Sequence, residues 1–348
     1  MTAFEGPAES ALTVETSTGP VDLERLGRTL MHEHVFTFHS DMHGDYPWHD
    51  EQRYVEGAVE KLKKLKEVGF DSLVDLTVFG LGRHVARVAE VARSAEFNVV
   101  IASGVYTYRD LPIYFRFQTE LSDRRFVEDL FVREVEEGIG DTGIRAAILK
   151  CVTDVPGLTP DVEFLLRAVA RAHLRTGVPI STHTDPHTET GLLQQRIFRQ
   201  EGVDLSNVII GHCGDTTDLA YLERLLQAGS YIGMDRFGNY LRTSFKDRIE
   251  TVVALCNRGY ASRMVLSHDA NCGGDIRSQE ALENWRYGAI PTEVLPALRS
   301  RGVTEEQIDL MTRGNPKAIF ARAATLRGQA ARTTAGDREP RPRPARQK

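Results

Sequence analysis

Four cysteines in 348 residues, Cys151, Cys213, Cys256 and Cys272, are too few and too widely spaced for a disulfide framework. None forms a Cys-x-x-Cys pair, so reduced thiols are expected. No apolar run approaches the roughly 18 residues that a membrane span requires. The opening MTAFEGPAESALTVETSTGP carries acidic residues and lacks the apolar centre of an export signal. Positive charge is not in excess either. Against 49 Asp and Glu, the 43 Lys and Arg leave a net charge of −6, which offers a polyanion no general attraction and makes nucleic acid an unexpected partner. No GxGxxG follows the first strand-like run, which argues against a dinucleotide-binding sheet. The expectation is a soluble, cytoplasmic protein that binds neither membrane nor nucleic acid.

What is present is a chain, 41% hydrophobic, long enough to bury a large core as one domain. Short β-branched or apolar runs alternate with segments of helical spacing, the pattern of βαβ units around a parallel sheet. The runs are 29–36, 72–78, 98–106, 146–152, 178–184, 207–213, 231–237 and 264–269. Between them, Val55, Ala58, Val59, Leu62, Leu65 and Val68 repeat on one helical face, with Gly69 where a C-cap belongs. VEFLLRAVARAHLRTG and DLAYLERLLQAG repeat the design, closed by Gly177 and Gly229. Eight strand-helix units predict an α/β fold, a single (β/α)8 TIM barrel over 21–323. Residues 1–20 form a loose N-terminal segment, and 324–348, rich in Arg and Pro, a disordered tail.

Candidate chemistry lies near the ends of these runs. Residues two apart on a strand share a face, so His32 and His34 in MHEHVF can both aim inward, with Glu33 pointing out to the helices. Alone, the pair reads equally well as two polar side chains satisfied at a strand end. Its position gives it weight: His183 closes the fifth run, His212 the sixth and Asp269 the eighth, at the barrel end where active sites assemble. Lys150 sits at the same end of an apolar strand, where desolvation lowers its pKa. A neutral amine there can add carbon dioxide and become a carbamate able to bridge two cations; the alternative is an ion pair with Asp269.

MHEHVF, ILKCVTD, ISTHT, IGHCGD, GMDRFG and LSHDA, in this order and approximate spacing, resemble the phosphotriesterase-like metal-dependent hydrolases of the amidohydrolase superfamily. Within that family the lactonase branch is the nearest in pattern, and the resemblance runs from Gly19 to Ala321. It implies a binuclear metal site at the C-terminal ends of the strands. His32, His34 and Asp269 would hold the buried ion, His183 and His212 the exposed one, and carbamylated Lys150 would bridge them together with a hydroxide nucleophile. Zn2+ is the default metal for such nitrogen and oxygen donors, with Co2+, Mn2+ or Fe2+ as alternatives. Asp269 would serve as general base. Tyr106 matches a phenol beside the metals, although packing alone would explain it, and Arg236 matches a pocket residue, although it could instead form a structural pair with Asp235. Trp285 could wall the pocket.

The implied activity is lactone hydrolysis with promiscuous phosphotriesterase activity. A true aryldialkylphosphatase is one alternative; a non-catalytic binding barrel is another, whose mark would be a missing ligand. The stretch after the eighth run, NCGGDIRSQEALENWRYGAIP, looks shorter than the family's usual loop, and Asp185-Pro186 differs from the family pattern. A homodimer is expected from the resemblance, with IYFRF, 113–117, readable as core or as interface. His268 should face away from the ions; His39, His43, His49, His84 and His173 match no ligand position and are assigned to surface or loops.

Overall fold

A computed structural model describes residues 12–39, 51–121, 123–276 and 285–336. The hairpin β1 (Thr13–Thr16) and β2 (Gly19–Asp22) pairs antiparallel, and Ser17 N–H donates to Val99 O at 2.7 Å, fastening it to the main sheet. This corrects the expectation of a loose segment over 1–20 for residues 12–20; residues 1–11 lie outside the described ones.

The nine remaining strands form one parallel sheet: β3 (Thr29–Thr37), β4 (Ser72–Asp75), β5 (Asn98–Gly104), β6 (Ile148–Val152), β7 (Ile180–His183), β8 (Val208–Ile210), β9 (Tyr231–Met234), β10 (Met264–Leu266) and β11 (Asn271–Gly274). Each of the eight expected runs carries one of β3 to β10. The spatial order is β10-β9-β8-β7-β6-β5-β4-β3-β11, so the two edges are consecutive in the chain, separated only by 267–270. The sheet therefore curls back on itself. Asp269 N–H donates to His32 O at 3.0 Å and His34 N–H to Ala270 O at 2.9 Å, stitching the last segment to the first.

Helices follow the strands on the outside. Pro160–Thr176 shows why the local sequence suffices: Thr159 accepts from Val162 N–H, Pro160 stands at the first position, and Gly177 at φ 74° closes the end. The helix Asn315–Gly336 continues past 323, where the tail was expected to begin, and Leu326 and Arg327 pack against Gly177, so the expectation of disorder is corrected for 324–328. Residues 337–348 lie outside the described ones. Cys151, Cys213, Cys256 and Cys272 are buried and unpaired, and no helix among the described residues is long and apolar enough to cross a membrane.

Strand alternation sorts the sheet's side chains into two apolar layers. Leu30, Val35, Leu73, Val99, Ile101 and Leu149 belong to the layer shared with the helices, while Met31, Val74, Val100, Ala102 and Ile148 form the other. Strict alternation from Leu30 would send His32 and His34 to the helix side. An irregularity in β3 prevents this: Leu30 pairs with Leu73 and Glu33 with Asp75, so β3 spends one residue more than β4 over the same stretch. The bulge resets the phase, leaving Met31 and the two histidines on the inside and Glu33 and Val35 outside.

Gly104 has φ +152°, and a Cβ there would lie 2.0 Å from Lys150 O across the β5–β6 ladder. Gly104→Ala should therefore lower stability by at least about 2 kcal/mol, read as a drop in the urea unfolding midpoint. An unchanged midpoint would show that the backbone contact is not tight.

Candidate functional site

The residues singled out in the sequence meet at the C-terminal ends of the strands. A cavity of about 360 Å3 is lined by His32, His34, Tyr106, His183, His212, Arg236, Asp269 and Trp285, together with Thr37, Leu81, Tyr108, Asn239 and Ile276. A second cavity, about 440 Å3, lies between the helix Glu51–Glu67 and residues 286–292; its described lining offers no histidine or carboxylate. The histidines singled out in the sequence as ligands all line the first.

Two triads of donors lie close enough to share an ion: His32, His34 and Asp269, and His32, His212 and Asp235, with the donor atoms of each set all within 4.8 Å of one another. Asp269 Oδ1 is 3.2 Å from His34 Nε2 and 3.7 Å from His32 Nε2. His212 Nε2 and His183 Nδ1 approach to 2.9 Å. His212 and Asp269 reach inward because both adopt left-handed backbone, φ 60° and 55°, where their strands end. This is also why the ladders of β8 and β10 stop short of the expected runs.

The ring orientations are set from behind. Asp235 Oδ2 accepts from His32 Nδ1–H at 2.7 Å, and its Oδ1 lies 3.0 Å from His212 Nδ1 and accepts His212 N–H at 2.8 Å. One carboxylate thus fixes two imidazoles so that each presents Nε2. His34 Nδ1 meets Thr77 Oγ1 at 2.9 Å, again leaving Nε2 forward. His183 is reversed: its Nε2 donates to Asp154 Oδ2 at 2.7 Å, so Nδ1 faces the site. The alternative considered for Arg236, a structural pair with Asp235, is not what the structure shows: Asp235 meets the histidines, and Arg236 turns to Asp269 Oδ2 at 3.0 Å and Asp215 Oδ2 at 2.6 Å.

Burial controls the protonation states. It pushes His32 down to about 4, with the Lys150 charge adding to the effect against the opposing pull of Asp235. His183 and His212 are lowered chiefly by the same desolvation. For Asp269, burial acts to raise the pKa, but the hydrogen bond from His34 and the charges of His212, Arg236 and His32 outweigh it and hold the carboxyl well below its usual range. Lys150, also buried, is lowered to about 8. Its Nζ lies 2.9 Å from His32 Nε2 and donates to Thr182 O at 3.2 Å, so its hydrogen bonds do not go to Asp269. The result is a set of three imidazoles, His32, His183 and His212, biased toward the neutral form beside an ionised carboxylate and an easily deprotonated amine, the donor set that a divalent cation favours.

Around this group, Tyr106 OH lies 2.6 Å from Tyr108 OH and 3.5 Å from His183 Nδ1, and burial raises its pKa well above 10. Trp285 Nε1–H donates to His268 O, which holds the indole on the pocket wall. His268 faces away from the cavity, as expected. His173, expected at surface or loop, is instead buried with its Nδ1 bonded to Val178 O at 2.7 Å, because it sits on the inner face of a helix. His84 caps a helix, His39 is exposed, and His43 and His49 lie outside the described residues. Sequence reasoning passed over Asp154, Thr77, Tyr108 and Asn239; Asp154 lies in the quoted stretch ILKCVTD and Tyr108 two residues after Tyr106, but nothing in a linear pattern marks a residue that acts through a neighbour.

A histidine whose folded pKa is depressed costs stability once the unfolded chain can take the proton. For His32 that window opens below the unfolded value of 6.5 and extends to about 4. Chelator-treated protein should therefore lose stability on acidification through this range, by about 1.4 kcal/mol per pH unit for each such histidine. Urea titrations at several pH values check this; a His32→Asn variant with the wild-type slope would contradict it.

Comparison with known proteins places the chain in a family. The model of the phosphotriesterase family matches residues 12–320. A "Phosphotriesterase homology protein" of Mycobacterium tuberculosis is 53% identical over 318 residues, covering 89% of this chain and 98% of its own. An "Aryldialkylphosphatase" of Saccharolobus solfataricus is 35% identical, covering 86% and 97%. The solved structure of the phosphotriesterase from Mycobacterium tuberculosis superposes with a TM-score of 0.85 at 51% identity, over 89% of this chain and 98% of that one. With the family model spanning nearly the whole described chain, this protein belongs to the phosphotriesterase family.

Proposed function

We propose that the chain is a binuclear metal-dependent hydrolase on a closed (β/α)8 barrel, acting on lactones and more slowly on phosphotriesters. The observation that carries this reading is the convergence of His32, His34, His183, His212 and Asp269 around a cavity, with the low-pKa Lys150 beside His32. His32, His34 and Asp269 would hold one cation, His183 and His212 the other, and Lys150, as its carbamate, both. Zn2+ suits these donors, with Co2+, Mn2+ or Fe2+ as alternatives. When bound, such a pair supplies Lewis acidity and hydroxide near neutral pH.

The chain's own residues supply the rest. Asp269 accepts the nucleophile's proton on Oδ1, while Arg236 Nε holds Oδ2 and Asp215 in turn anchors Arg236. That pairing keeps Asp269 ionised until the proton arrives. Tyr106, protonated at any physiological pH, offers its O–H to the oxyanion that develops on the substrate. Trp285 and Tyr108 wall the leaving side and limit water. In a lactone the alkoxide released stays tethered to the acyl group, so a single hydroxy acid leaves the pocket, whereas a phosphotriester releases a separate alcohol.

The name aryldialkylphosphatase carried by a 35% identical relative supports phosphotriester hydrolysis as the second reading. A binding barrel without catalysis is weakened because all six expected ligand positions are filled. We further propose a cytoplasmic homodimer. Ile113, Tyr114 and Phe117 of IYFRF are 70%, 58% and 51% exposed, an apolar face that a second copy would cover. Light scattering that gives a single-chain mass at micromolar concentration would exclude it.

Elemental analysis should give two metals per chain, and rates should rank a γ-lactone or homoserine lactone above paraoxon. Lys150→Ala should lose metal and at least about 100-fold in rate. Paraoxon turned over fastest would establish the phosphotriesterase instead; a metal-free, inactive wild type would overturn the hydrolase reading.

A further inference from the structure

Glu33, between the two inward histidines of β3, faces the opposite way and is fully buried. Its Oε1 accepts His268 N–H and His268 Nδ1–H, both at 2.8 Å, and its Oε2 accepts Ala270 N–H at 3.0 Å. The two backbone donors belong to the residues immediately before and after Asp269. Asp269 itself has φ 55°, a conformation that costs a non-glycine residue about 1 kcal/mol or more. Its own N–H is held by His32 O. His268 Nε2 accepts Ile290 N–H at 3.0 Å, so the ring must carry its proton on Nδ1, pointing at Glu33. The same residue's carbonyl receives Trp285 Nε1–H.

We propose that Glu33, with His268, is a positioning residue for the site. Its carboxylate grips the peptide on both sides of Asp269, holding it in the left-handed turn from which its side chain reaches His34 and His32. Burial raises the Glu33 pKa, and the three hydrogen bonds from His268 and Ala270 act against that rise; together these three buried bonds offset the strain of that turn. The HEH triplet thereby serves two faces of one strand: the outer residues contribute imidazoles, and the middle one sets the carboxylate they meet. Through His268 the same clamp fixes residues 285–290, and with them the Trp285 wall of the cavity.

A merely structural buried pair would change stability and leave turnover alone; a positioning clamp changes the site as well. The inference rests on the metal-dependent hydrolase reading, and the test separates the two. Glu33→Gln puts an amide N–H where three donors converge. His268→Leu removes the Nδ1 donor, whereas His268→Asn keeps a donor at nearly the same place. Each protein is loaded with Co2+ and compared by metal content, visible absorption spectrum, thermal midpoint, kcat and KM on a lactone and on paraoxon. Glu33→Gln and His268→Leu should shift the cobalt spectrum and lower kcat by about 10- to 100-fold with KM within about threefold, while His268→Asn stays within about threefold of wild type in kcat. Variants with lowered thermal midpoints but wild-type spectra and kcat would overturn the clamp alone. If Glu33→Gln does not fold, equal kcat in His268→Asn and His268→Leu overturns it. A wild type that takes up no cobalt overturns both the clamp and the reading beneath it.

Discussion

The seam between β3 and the chain that follows β10 is the constraint on which the rest depends. Two backbone hydrogen bonds, Asp269 N–H to His32 O and His34 N–H to Ala270 O, join residues more than 230 positions apart in sequence to close the curl of the sheet. The same few residues supply the candidate site, so closure and chemistry are not separable here. The curl of the parallel sheet brings the C-terminal ends of its strands around one cavity. His32 and Lys150 lie within β3 and β6, and His183, His212 and Asp269 at or just past the ends of β7, β8 and β10; the five become neighbours only because of that curl.

Desolvation does the electrostatic work within that mouth. Burial disfavours the charged forms of His32, His183, His212 and Lys150, which lowers the pKa of each and leaves their lone pairs more readily available to a cation. The one negative group that must stay ionised, Asp269, does so because Arg236 and the hydrogen bond from His34 offset the cost of its burial. Arg236 is in turn neutralised by Asp215, which also accepts from the buried Arg248 at 3.0 Å, so charges alternate in sign along a chain running outward from the site. Asp235 stands apart from that chain and serves geometry, with both oxygens committed to histidines.

The alternation of strand-like and helical segments was legible because period 2 and period 3.6 leave different marks, and all eight runs became strands. The ends of two runs were placed too far along: the strands stop at Ile210 and Leu266, and His212 and Asp269, two and three residues on, stand in left-handed turns that hydrophobicity does not reveal. The N-terminal hairpin and the helix through 324–328 were missed for a related reason. Short or polar segments become ordered by packing on what the rest of the chain builds, as Ser17 does against Val99. Asp154 and Thr77 were invisible because their partners, His183 and His34, lie 29 and 43 residues away.

The sequence by itself determined the residue types that can carry the chemistry, their order at the ends of apolar runs, and the family to which they belong, since these depend on local pattern and spacing. Only the tertiary structure decided which way those side chains point. The bulge between Leu30 and Glu33, the left-handed turns at His212 and Asp269, and the ring orientations imposed by Asp235 are each fixed by contacts between distant strands. A linear pattern records which residues stand at each position; phase, turn and tautomer follow from partners that exist only once the sheet has closed.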